Sequence, residues 1–117
     1  MANIRDLVGA LRQREGVEAA IVLGRDGLLI DSQTIAGLSA EDLAARIPPV
    51  ISAADELGNA GGRGDAVTVI LEHKQGIAIV SVLSAEAVLL VLVQPSANIG
   101  QLLYELRRNR EHIAALV

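Results

Sequence analysis

Cysteine is absent from the chain, as are tryptophan and phenylalanine, and Tyr104 is its single aromatic residue. Without cysteine there is no disulfide and no thiolate chemistry, which agrees with a reducing compartment. Without aromatic faces, base stacking and sugar-binding platforms lose their usual means. No apolar run reaches the roughly 20 residues that span a bilayer, and no basic start followed by an apolar stretch marks a signal peptide. The expectation is a cytoplasmic chain without membrane insertion. A basic footprint is missing too: 14 acids against 10 bases leave a net charge of -4, which argues against nucleic acid as a partner. Arg107, Arg108 and Arg110 do cluster, but at the end of an expected helix, where cations complement the helix dipole.

What the chain does have is apolar residues in strand-length and helix-length patterns. Its 117 residues suit one domain, 1–117, large enough for a core without staples. Ile4, Leu7, Val8 and Leu11 recur at helical spacing and end near Gly16. Val17 to Leu23 reads as a strand, and Arg25-Asp26-Gly27 as a tight turn that folds Leu28 to Ser32 back as a hairpin. Ser39-Ala40-Glu41-Asp42 resembles a helix-capping box. A middle helix follows through Leu43, Ile47, Val50, Ile51, Ala54 and Leu57, with Pro48-Pro49 predicting a kink or break near Ile47. Ala44, Ala45, Ala53, Ala54 and Gly58 make one of its faces unusually small.

Three strands come next, Ala66 to Glu72, Ile77 to Leu83 and Ala87 to Val93. Connections this short demand antiparallel neighbours. After Pro95, Ser96 or Asn98 can cap a last helix carrying Ile99, Leu102, Leu103 and Leu106. The order α-β-β-α-β-β-β-α predicts an α/β sandwich, with helices on both faces of a five-stranded antiparallel sheet. Such cover accounts for the first and last strands being apolar on both sides.

No constellation for catalysis stands out. Gly58, Gly61, Gly62 and Gly64 follow a helix rather than a strand and lack the lysine of a phosphate loop, so they read as a helix end and a turn. Arg63-Gly64-Asp65 spells an integrin-binding tripeptide, and in this context reads as the lead-in to the third strand. His73 and His112 lack metal-ligand spacing. No serine sits in a nucleophile elbow, and the pairs Glu41-Asp42 and Asp55-Glu56 are helix-surface acids. The expectation is a chain that is not an enzyme, with no catalytic, cofactor-binding or metal-binding residue and no cofactor.

Two motifs carry a resemblance. Gly16-Val17-Glu18-Ala19-Ala20-Ile21-Val22-Leu23 leading to Asp26-Gly27-Leu28 resembles the first hairpin of the Roadblock (dynein light chain) domain family. Leu90-Val91-Leu92-Val93-Gln94-Pro95-Ser96-Ala97-Asn98-Ile99-Gly100 resembles its last strand, proline turn and helix start. Element order agrees, and the chain is closest in pattern to small bacterial members. The resemblance implies strand order 2-1-5-4-3, with the middle helix on one face and the terminal helices on the other (a profilin-like arrangement). It also implies a homodimer that pairs third strands into one sheet, middle helices side by side.

By the same resemblance, the function is that of a non-catalytic scaffold or adaptor that binds and regulates a small Ras-like GTPase. Some bacterial homodimers of the family accelerate GTP hydrolysis without supplying an arginine finger. The expected dimer contacts are Ile47, Ile51, Ala54, Val67, Val69 and Leu71, and the expected partner contacts are Arg46, Asp55 and Glu56. The third strand, Val67 to Leu71, lacks proline and internal charge, a hazard for a bare edge. The alternative is a small-ligand or signal-sensing profilin-like domain, weakened by the scarcity of aromatic and converging polar groups.

Overall fold

The computed structural model describes residues 3–117. Helix α1, Ile4–Gln13, starts from a reciprocal cap: Asn3 Oδ1 accepts from the Asp6 amide at 2.9 Å, and Asp6 Oδ2 accepts from the Asn3 amide at 3.3 Å. Two orphan amides of the first turn are thereby satisfied. Strands β1, Val17–Gly24, and β2, Leu29–Thr34, form the expected hairpin. At its turn Gly27 has φ +92°. A Cβ there would lie 3.2 Å from Pro48 Cγ, so the turn needs glycine for its backbone and for its packing.

The middle helix is two helices, α2, Ala40–Ala45, and α3, Ile47–Ala60. Ser39 caps α2, its Oγ accepting from the Asp42 amide at 3.2 Å. The break at Arg46 follows from the prolines. Inside a continuous helix, their rings would crowd the carbonyls of Ala44 and Ala45, four residues back. Restarting the helix places both in a first turn, where the missing donors have no partners to lose. The Arg46 amide closes the first segment onto Leu43 O at 3.2 Å.

Strands β3, Thr68–His73, β4, Gly76–Val82, and β5, Ala87–Val93, complete one antiparallel sheet in the order β2-β1-β5-β4-β3. β5 spans the expected residues. β3 begins two residues later than expected, at Thr68, leaving Val67 in the approach to the strand. The last helix is also divided, into α4, Ile99–Arg108, and α5, Arg110–Ala114, joined at Asn109. Asn98 caps α4 through its side chain, which accepts from the Gly100 amide.

The three expected helices thus become five, while the layers stand as expected. Val8, Leu11, Leu102, Leu106 and Ile113 cover one face of the sheet, over Val22, Leu89 and Val91. Ala44, Ile47 and Ile51 cover the other, over Ile21, Val80 and Leu90. A register shift in β1 between Val17 and Ala19 lets Val17 share the first face with Ala20, as a bulge does. Both edges of the sheet lie open: polar β2, Leu-Ile-Asp-Ser-Gln-Thr, and apolar β3, Thr-Val-Ile-Leu-Glu-His. Among the described residues no helix is long and apolar enough to cross a membrane.

Candidate interaction surface

The outer edge of β3 is defined by one bond. Val82 N donates to Val67 O at 2.9 Å, so Val67 turns its backbone groups toward β4. With the register Thr68↔Ser81, Val69 and Leu71 do the same. Alternation along an antiparallel ladder then turns the amides and carbonyls of Thr68, Ile70 and Glu72 away from the sheet. Three donors and three acceptors stand in a row with no strand beside them among the described residues.

Side chains divide by face. Val69 and Leu71 are half-buried against the core under α3, whereas Thr68, Ile70 and Glu72 belong to the opposite face, where α5 reaches Thr68. Ile70 is 42% exposed and Val67 52%. On α3, Leu57 is 77% exposed and continues a row of Val50, Ala53, Ala54 and Gly61 at helical spacing. Two open grooves flank this row. One, of about 560 Å³, lies between Leu57 and β3. The other, of about 460 Å³, lies over Val50, Leu71 and Ile77. Small residues let another element come close along this side of the helix.

The expected contact residues do not share one fate. Ala54, Val67, Val69 and Leu71 lie along the α3–β3 side. Ile47 and Ile51 are 6% and 3% exposed, packed onto the sheet of their own chain, so they serve its core and have little surface to offer a second copy. A helical period identifies an apolar face without saying whether it meets its own sheet or another chain. Leu57 and Ile70 were missed. Their signals are the row at i, i+3, i+4 and i+7 and the strand alternation that sets Ile70 opposite in facing to Val69.

Arg46 lies exposed at the α2–α3 break, its Nε donating to Asp42 Oδ2 at 3.1 Å. That hydrogen bond, and then the charge of Asp42, raise the guanidinium above its ordinary value. Glu56 is exposed on α3 and, among the described residues, forms no ion pair within 4.0 Å. Asp55 is employed inside the fold instead. Its Oδ1 accepts from the Ala66 amide at 2.7 Å and its Oδ2 lies 3.7 Å from Arg25 Nη2. It ties the loop after α3 to the lead-in of β3, and Gly58 allows that loop to cross the helix closely, where a Cβ would collide with Gly64 O.

Among the described residues there is no cluster of three or more potential metal ligands. A polar hollow near Arg14, Gln94, Ser96 and Gln101 has its one cation occupied by Glu105, to which Arg14 donates. What the α3–β3 side offers is backbone pairing and apolar contact.

Comparison with known proteins places this arrangement. An uncharacterized protein of Methanocaldococcus jannaschii, MJ1340, is 29% identical over 106 residues, covering 91% of this chain and 92% of the relative. A Roadblock/LC7 domain from Streptomyces avermitilis superposes with TM-score 0.85 at 25% identity, covering 97% of each chain. MglB of Myxococcus xanthus superposes with TM-score 0.86 over 97% of this chain and 93% of that one. At 14% identity, that second likeness speaks for the fold. The family model described as Roadblock/LC7 domain matches residues 4–93, from α1 through β5, and the two superpositions extend the likeness through the terminal helices. With hairpin, sheet order, helix layers and family model in agreement, the chain belongs to the Roadblock/LC7 domain family.

Proposed function

We propose that this chain is a non-catalytic platform that forms a homodimer through β3 and α3 and presents the paired helices to a small Ras-like GTPase. The observation that carries the dimer is the open β3 edge, with three unpaired backbone residues beside an exposed apolar row on α3. Single-chain proteins blunt such edges with charge, proline or a covering element. Here the edge itself carries only Glu72 and no proline, and it lies beside the exposed apolar row of α3. Pairing β3 with a second β3 satisfies the edge and brings Leu57 and Ala54 of two α3 helices together across a two-fold axis.

Membership of the Roadblock/LC7 domain family supports the GTPase partner. A platform of this kind holds the switch segments of its partner and changes their equilibrium without contributing to the bond broken. Arg46 and Glu56, exposed on the outer side of the helices, are the residues we assign to that contact. Asp55 leaves the set because its carboxylate is engaged. The cell's own small Ras-like GTPase, purified and loaded with GTP or GDP, provides the test by calorimetry. Binding that favours the GTP form supports the platform, and reversing Arg46 or Glu56 should weaken it by about tenfold. A dimer that binds neither form refutes the GTPase assignment.

The ligand-sensing alternative has one observation in its favour, the apolar groove over Val50, Leu71 and Ile77. Thermal-shift screening separates the two readings. Stabilisation by small apolar molecules supports sensing, and stabilisation by the loaded GTPase alone supports the platform.

A further inference from the structure

Arg110 is an odd cation. The turn at Asn109 sends α5 back over the sheet, and Arg110 Nη2 donates to Thr68 Oγ1 at 3.0 Å on the edge strand. Its Nε is buried without a hydrogen-bond partner, and among the described residues no carboxylate lies within 4.0 Å of it. A half-buried guanidinium without an anion is costly. The guanidinium stands at the open edge, where a carboxylate from outside could reach it.

We infer that Arg110 is one half of an intersubunit ion pair with Glu72 of a second copy, and that this pair sets the register in which two β3 edges join. The inference rests on the edge-pairing reading above and adds to it a register and two charged residues. Two antiparallel edges related by a two-fold axis keep the same face up, and residues opposite each other must both turn their backbone groups outward. Only Thr68, Ile70 and Glu72 do so within β3, and at least two of them find partners among themselves only when the axis lies at position 69, 70 or 71.

Centred on Ile70, the pairing sets Thr68 opposite the other chain's Glu72 twice and Ile70 opposite Ile70, so all three outward residues find hydrogen-bonded partners. Glu72 then lies beside Thr68 on the face where Arg110 already holds the threonine hydroxyl. Centred one residue later, Lys74 falls opposite Thr68 and sets a second cation against Arg110. Centred one residue earlier, Glu72 falls opposite Ala66, whose amide is already taken by Asp55, and Arg110 is left unpaired. Charge and backbone pairing therefore choose the same register. The contact is isologous, so each dimer carries the ion pair twice.

Sedimentation at low salt provides the test, with wild type, Glu72→Arg, Arg110→Glu, and an equimolar mixture of the two variants. Each variant alone opposes like charges twice per dimer, and should weaken dimerisation by at least about tenfold. The mixture restores both pairs in a mixed dimer and should recover most of the wild-type affinity. Ile70→Lys is the control for edge pairing itself. If Ile70→Lys dissociates the dimer while Glu72→Arg leaves its affinity unchanged, the ion pair is wrong and the edge pairing stands. Failure of the mixture to recover, with both variants folded by circular dichroism, also overturns the pair. If wild type is monomeric, or Ile70→Lys remains as dimeric as wild type, the edge-pairing reading falls and the ion pair falls with it. Should Arg110→Glu fail to fold, Arg110→Met replaces it in a cycle with Glu72→Arg: recovery of dimerisation in the folded double variant relative to Glu72→Arg alone supports the pair, and no recovery overturns it.

Discussion

Asp55 shows how a residue can look like surface chemistry and act as structure. Adjacent to Glu56 on a helix, it has the pattern of a solvated acid. Its Oδ1 nevertheless accepts the Ala66 amide, eleven residues away, a contact that depends on the path of the glycine loop. Replacing Asp55 with alanine should cost about 1–3 kcal/mol in urea denaturation, because a half-buried amide loses its partner. The same change at Glu56 should cost less than about 0.5 kcal/mol. Ile51 makes a matching case. Since it faces the sheet of its own chain, Ile51→Ala should lose about 2–5 kcal/mol of folding stability, while the folded protein keeps its dimerisation affinity. Its spacing was legible as apolar helix face; which body it faced was not, because periodicity carries no information about the partner surface.

At the scale of elements, the local signals that survived were those with a steric cause. Pro48-Pro49 forced a break, and it falls at Arg46. β5 was legible in full, since an apolar run ended by Pro95 has few alternatives. The division between α4 and α5 had no comparable signal. No proline or glycine lies near Asn109, whose amide and side chain both return to Glu105 O, at 3.0 and 2.8 Å. That unforeseen turn is what delivers Arg110 to the sheet edge. Helix α3 offers a separate test of its exposed row. Leu57→Asp changes a side chain that touches little of its own chain, so single-chain stability should move by less than about 0.5 kcal/mol. If the row packs against a second α3, the same substitution should raise the dimer dissociation constant by about tenfold or more, read by sedimentation.

Across the whole molecule, the two sides of the sheet have different tasks. One face, under α1, α4 and α5, is closed by its own helices. The other, under α2 and α3, leaves grooves open toward β3. The antiparallel pairs β1–β2 and β3–β4–β5 were legible because their loops are short, and cover on both faces because strands apolar on both sides demand it; the full order, which sets β1 beside β5, was implied by the family resemblance alone. The interaction surface was legible only in part, since exposure along β3 depends on which strand ended at the edge. Sedimentation of wild type beside Ile70→Lys at micromolar concentration shows whether this edge joins two chains. Edge pairing predicts a wild-type species of twice 12.2 kDa and a folded Ile70→Lys monomer. A wild type that sediments at 12.2 kDa, or a variant that remains fully dimeric, would contradict it.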